Sequence, residues 1–381
     1  MQVLHLLSEY RWTGVAEPVA NLVQALRGQG HDVTLVCRKP PSNVDPQDSR
    51  LLTVQLARMG IEPVTDFSLS RYAPHLAVAD IPRLRRFFAR KQIDIVHTHL
   101  SHDHMVAGLA ACRTRRPLVV RSVHKCVPLR RTVSNRFTFR TLTDAYCGFS
   151  RRVSELDANT LGLPGHDVFV VEPAIDLERF DPDQPRADVR PKLGFSQDDV
   201  VGGIVARLQA HRRFDVLFEA VRLARKRVPA LRLIVMGSGT HAQKVIFERI
   251  RALKIEDAVR ATGRRNEDYV DYLAALDFSM LLMPGSDGTC RAVREAMAMG
   301  KPLIVAKRGM LDELVPDGRA GLVIDDTPAN LAEAIVTMAS DADLRRRMGD
   351  VGRQEARARF SLTAQARAVT QMYEQILRQR N

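Results

Sequence analysis

Two carboxylates, Asp287 and Glu295, lie in the stretch MPGSDGTCRAVREAMAMGKPLIV at 283–305, the first in a Gly-rich loop and the second about two turns into a helical pattern. Both could face one point only if the loop folds back over the helix start. Such a loop aims free backbone N–H groups at whatever lies above it, which suits phosphate oxygens or sugar hydroxyls. Arg207, Arg212 and Arg213 follow another apolar run directly. Guanidinium groups beside hydroxyl-binding carboxylates suit a diphosphate joined to a sugar. The plainer alternative is a strand-to-helix turn with a solvated Asp287, a surface Glu295 and solvated arginines.

The surrounding elements must bring these groups together. Apolar runs at 200–205, 231–236, 259–262, 278–283 and 303–305 predict strands, and helical patterns fall at 214–227, 241–253, 269–276 and 289–299, the last stopped by Gly300-Lys301-Pro302. The first half repeats the scheme, with strands at 3–7, 33–36, 93–97, 118–123 and 144–149 and helices at 16–27, 82–91 and 106–112. Strand, loop and helix in alternation predict two doubly wound α/β domains. A Pro- and Asp-rich connection at 172–185 divides them. Open sheets of this kind bind ligands at the carboxyl ends of their strands, and two such edges facing one another would form a cleft. That edge receives the loop around Gly14, whose missing side chain lets backbone approach a ligand or merely makes the turn, and His124, whose default role is structural.

Charge is the unusual feature of the composition. The chain of 381 residues carries a net +13. Seventeen basic residues lie between Arg71 and Arg152 against four acids, Asp80, Asp94, Asp103 and Asp144. Such a field attracts a polyanion: an anionic membrane face, a phosphorylated acceptor or nucleic acid, although no aromatic-interleaved motif supports the last. No apolar run is long enough for a membrane span, and the start MQVLHLLSEYR has no secretory pattern, so cytoplasmic residence is expected. Five cysteines without a CxxC pair fit reduced thiols. His97, His99, His102 and His104 invite a metal reading, but their spacing at a strand end is expected to point the rings in different directions, and no metal site is predicted.

The residues together resemble the family 4 glycosyltransferases, retaining enzymes of the GT-B fold that use nucleotide sugars. The resemblance runs through the loop near Gly14, Gly30-His31-Asp32-Val33, Asp94-Ile95-Val96-His97, Ser122-Val123-His124, Ala174 to Phe180, Ala206-Arg207-Leu208 and, most specifically, Asp287 with Glu295 before Ala296-Met297-Ala298-Met299-Gly300-Lys301-Pro302. It implies an acceptor-binding domain at 1–173, a nucleotide-sugar-binding domain at 174–360 and a helix at 361–381 that crosses back to the first domain. It gives Glu295 the ribose hydroxyls of the nucleotide and Asp287 the hydroxyls of the donor sugar. Arg207 and Arg212 would neutralise the departing diphosphate, and His124 would approach the sugar. Gly14, Gly237, Gly288 and the backbone N–H groups of Thr289, Cys290 and Arg291 complete the donor contacts, with Arg265 by the base. Three positions depart from the family pattern: Asp287 replaces Glu, Arg213 stands where a glycine is usual, and Ala174 does likewise.

The function implied is transfer of a sugar from a UDP-, GDP- or ADP-sugar to a glycan or phosphorylated glycolipid. The setting expected is cell-envelope polysaccharide or lipopolysaccharide assembly, peripheral on the inner membrane face, with neither metal nor cofactor. A nucleotide-sugar epimerase of the same fold, or a silent nucleotide-sugar-binding protein, are the rival readings.

Overall fold

The structure is a computed structural model that describes residues 1–70, 73–112, 117–124, 127–240, 242–284 and 290–380. It divides into two compact units, one of Met1–Ala174 with Leu362–Asn381, the other of Ile175–Ser361.

The first unit holds a six-stranded sheet of β1 (Gln2–Leu7), β2 (Asp32–Cys37), β3 (Ile95–Thr98), β4 (Leu118–Ser122), β5 (Ala145–Gly148) and β6 (Val168–Val170). All pairings are parallel, in the order β2-β1-β3-β4-β5-β6. The strands are short apolar runs because helices cover both faces, so consecutive side chains are buried alike. The order reverses between β1 and β3, which opens a crevice beyond their carboxyl ends. The helix Leu362–Arg380 belongs to this unit, and Ala366, Val369, Met372, Tyr373 and Ile376 enter its core beside Val19, Val23 and Leu26.

The second unit repeats the plan with β7 (Val200–Val205), β8 (Leu231–Met236), β9 (Val259–Gly263), β10 (Phe278–Leu281), β11 (Leu303–Ala306) and β12 (Gly321–Ile324), again all parallel, in the order β12-β11-β10-β7-β8-β9. Its order reverses between β7 and β10. Gly202 and Gly203 make that central pairing possible, since a Cβ on Gly202 would lie 2.8 Å from the Phe278 ring and one on Gly203 2.4 Å from Leu276. Both units are thus doubly wound α/β sheets.

Two edge strands, β6 and β12, go beyond the sequence reading. Each is short and partly exposed, so neither has the buried apolar run that marks an inner strand. The basic helix expected from Pro82 begins at Pro74 and runs to Lys91, with Pro82 inside it. An internal proline costs about 3 kcal/mol. Here burial of Ala77, Leu84, Phe87 and Phe88 along one face offsets that cost. The segment expected as one helix at 241–253 is a π-helical turn, Gln243–Phe247, followed by Glu248–Ala252.

Candidate active site

The loops after β7 and β10 meet at the reversal point of the second sheet. Arg207 is exposed just beyond β7, and Arg212 is buried at 5% exposure in the turn Ala210–Arg212. Arg212 Nη1 donates to the Pro284 carbonyl, which ties the β7 loop to the segment after β10. Asp287, Gly288 and Thr289 lie outside the described residues. Cys290, buried and left-handed at φ 47°, leads into the helix Arg291–Ala298.

Glu295 sits in that helix at 5% exposure. Tyr269 Oη donates to its Oε2 at 2.7 Å, and Arg291 Nε, one helical turn back, donates to its Oε1 at 2.6 Å. Burial pushes the Glu295 carboxyl up, while Arg291, the Tyr269 hydroxyl and Arg179 pull it down. The carboxylate is therefore oriented at both oxygens and keeps lone pairs for further donors. Tyr269 escaped the sequence reading because nothing in its spacing from Glu295 links the two. Its ring meets Phe180 edge-on with centroids 5.9 Å apart.

Gly237, with φ 150°, has a packing role: a Cβ there would come 1.9 Å from the Ala206 carbonyl oxygen, and one on Gly239 2.4 Å from that of Leu208. The Gly237 N–H donates to Gly263 at 2.9 Å, and the Leu208 N–H to Ser238 at 3.1 Å, so the loops after β7, β8 and β9 are stitched together. Arg265 is engaged locally: it pairs with Asp268 at 3.1 Å, donates to the Thr262 carbonyl and covers the Tyr272 ring at 4.6 Å. Arg213 adopts φ 64°, which explains a glycine preference at that position, and its guanidinium pairs with Asp326 at 2.9 Å. Lys301 donates to the carbonyls of Ala274 and Leu276, both at 2.7 Å, and so closes the end of the helix that carries Tyr269.

In the first unit Gly14 lies in the exposed turn after β1, where a Cβ would meet no protein atom within 4 Å. The protein's own packing does not demand a glycine there. His124 follows β4 and is half-buried, with its ring edge-on to Phe149 at 4.9 Å between centroids. Burial takes the His124 imidazole down to about 3, so the ring is neutral.

The histidine expectation needs correction in part. His104 turns aside as expected, toward Thr143 and the Phe139 ring, but His97 and His99 do not point apart, because His99 lies one residue past β3 and positions two apart along a strand line share a face. Their rings stack at 4.6 Å and both lie against His5, at 4.9 and 5.1 Å. These three offer nitrogens close enough to hold a metal ion. Every one of their ring nitrogens, however, is already hydrogen-bonded, to Ser122, Tyr373, His124 or each other.

Part of the basic field also serves the fold. Arg85 closes the end of the helix Ser101–Ala111 through the carbonyls of Leu109, Ala110 and Cys112. Arg121 is buried at 6% exposure, which lowers it to about 10. Arg130, Arg131, Arg136 and Arg140 are exposed, and interleaved with them are Val127 at 60%, Val133 at 88% and Phe137 at 49%. Arg113, Arg115, Arg116 and Lys125 lie outside the described residues. No helix among the described residues is long and apolar enough to cross a membrane.

Comparison with known proteins agrees with this architecture. Residues 12–179 match the model "Glycosyltransferase Family 4", and residues 185–355 match "Glycosyl transferases group 1". A D-inositol 3-phosphate glycosyltransferase of Streptomyces bingchenggensis is 28% identical over 75% of this chain and 67% of its own length. One from Kineococcus radiotolerans is 27% identical over 95% of this chain and 90% of its own. The crystal structure of HepE from Anabaena in complex with UDP superposes with a TM-score of 0.77 at 19% identity, covering 98% of this chain and all of the other. With two family models taking in both units, and the GT-B fold shared with solved glycosyltransferases, this chain belongs to the family 4 glycosyltransferases.

Proposed function

We propose that this glycosyltransferase moves a sugar, with retention, from a nucleotide-diphosphate sugar held on the second unit to a phosphorylated or glycolipid acceptor recruited by the first. The observation that carries the donor assignment is the buried Glu295 carboxylate, oriented by Tyr269 and Arg291 in the helix that follows the segment to which Arg212 is tied through the Pro284 carbonyl. A carboxylate so placed accepts the two ribose hydroxyls. Arg207 and Arg212 then face the diphosphate, and Asp287 takes the sugar hydroxyls.

Glycosyl transfer separates charge, positive at the anomeric carbon and negative on the leaving diphosphate. Fixed guanidinium groups and helix-terminal N–H groups stabilise the leaving oxygens more as that charge grows, which converts binding energy into rate without a metal ion. His124, neutral, serves the sugar as a hydrogen-bonding partner and not as a cation.

Calorimetry with UDP, GDP and ADP and their sugars tests the donor assignment. Tight binding of one diphosphate, weakened in Glu295→Ala, is expected. Equal binding to wild type and variant contradicts it. The anomeric configuration of the product, read by NMR, tests retention. Conversion of the nucleotide sugar to an epimer without acceptor would favour the rival enzyme.

The exposed Arg130, Arg131, Arg136 and Arg140 with Val127, Val133 and Phe137 support a lipid-linked acceptor. Arginines hold anionic head groups while apolar side chains enter the interface. Sedimentation with vesicles containing anionic lipid should recover the protein at low salt, and Phe137→Ser with Arg136→Ser should release it. Binding to neutral vesicles alike, or none at all, contradicts this part.

A further inference from the structure

Five hydrogen bonds link six buried or half-buried groups of the first unit into one unbranched chain. Ser122 Oγ meets His97 Nε2 at 2.7 Å, His97 Nδ1 meets Tyr373 Oη at 2.6 Å, and Tyr373 Oη meets His5 Nε2 at 3.3 Å. His5 Nδ1 then meets His99 Nε2 at 2.9 Å, and His99 Nδ1 meets His124 Nε2 at 3.1 Å. His5, His97 and Tyr373 have no exposure, and His99 has 2%.

A neutral imidazole carries one N–H and one lone pair, and a hydroxyl used on both sides donates once and accepts once. Burial keeps these rings neutral, lowering His5 to about 3 and His97 and His99 well below their ordinary value. Each link holds one proton, so fixing the direction of one link fixes all of them. Only two arrangements satisfy the whole chain. In the first, every proton points toward Ser122, and His124 presents a lone pair at Nδ1, the ring nitrogen outside the chain. In the second, every proton points toward His124, which then presents an N–H at Nδ1.

We propose that this chain couples the tautomer of His124 to the proton positions at Tyr373 and Ser122, making both of them positioning residues for a side chain to which neither is hydrogen-bonded. The consequence for the donor rests on the reading of His124 as the side chain facing the sugar. One tautomer accepts a hydrogen bond from a sugar hydroxyl and the other donates one. The side chain that joins the two halves of the chain comes from the helix Leu362–Arg380, far along the sequence from His5, His97, His99 and His124.

The test is the ring-nitrogen NMR spectrum of the full-length protein, wild type against Tyr373→Phe and Ser122→Ala. A single tautomer of His124 is expected in the wild type. Tyr373→Phe removes one oxygen and cuts the chain in the middle, so His124 should become a mixture of tautomers, and donor KM should rise about fivefold, the effect of one hydrogen bond. Should Tyr373→Phe fail to fold, Ser122→Ala, which removes the terminal group, carries the same expectation. An unchanged His124 tautomer in a folded variant overturns the proposal, even where His124→Ala abolishes transfer. A mixed tautomer with unchanged donor KM upholds the chain and instead removes His124 from the sugar.

Discussion

Tyr269 donates to Glu295 across 2.7 Å, joining a helix that follows β9 to one that follows β10. The hydroxyl and Arg291 together fix the carboxylate before any ligand arrives, so little reorganisation remains to be done on binding. Glu295→Gln keeps the size but loses the charge. It should weaken nucleotide diphosphate binding by about 1.5–3 kcal/mol, the worth of hydrogen bonds to a charged group, or at least about tenfold in Kd. Tyr269→Phe should cost less, about 1 kcal/mol. Titration calorimetry checks both, and a larger loss in Tyr269→Phe than in Glu295→Gln contradicts the ordering.

Arg212→Ala should lower turnover at saturating donor by at least about tenfold, from a lost charge-assisted contact of roughly 1.5–3 kcal/mol. A steady-state assay with unchanged turnover would remove Arg212 from the leaving group.

Arg213 holds a left-handed backbone and pairs with Asp326, with side chains 37% and 13% exposed. The left-handed conformation costs a non-glycine residue about 1–2 kcal/mol, whereas a pair this exposed contributes no more than about 1 kcal/mol. Arg213→Ala keeps the strain and loses the pair, while Arg213→Gly relieves the strain as it loses the pair. Urea unfolding should therefore rank Arg213→Gly above Arg213→Ala by about 1 kcal/mol.

Acid should unfold the first unit early. His5, His104 and His124 are each lowered by burial from 6.5 to about 3, and His97 and His99 are lowered as well. The folded state keeps these rings neutral while the unfolded chain protonates them below pH 6.5. The stability they contribute is thus fully present above pH 6.5 and lost as pH falls toward 3. Each lost proton preference costs about 1.4 kcal/mol per pH unit. Thermal melts from pH 7.5 to 4.5 should show Tm falling steeply below pH 6. A flat profile contradicts neutral burial of the cluster.

The sequence was most informative where period and chemistry coincided. The inner strands and the helix carrying Glu295 announced themselves because a buried strand must be apolar on both faces and Gly300-Pro302 cannot continue a helix. Edge strands β6 and β12 carry no such signature, and Pro82 reads as a helix start although tertiary burial lets the helix run through it from Pro74. The pairing of Arg291 with Glu295 follows from helical spacing. Tyr269, His5 and Tyr373 could not be found so, because their partners are near only through the sheet order and the return of the last helix. Gly237 illustrates a further gap: a glycine after a strand reads alike whether it spares room for a ligand or, as here, for the carbonyl of Ala206.

That returning helix also bears on how the chain is made. Ala366, Val369, Met372, Tyr373 and Ile376 are core residues of a unit whose other members precede residue 175. On the ribosome, the first-synthesised half therefore waits with an incomplete apolar core while the second unit is translated and folds. The order of synthesis and the order of completion run opposite ways, so the nascent first unit should depend on chaperone protection until residue 376 has emerged.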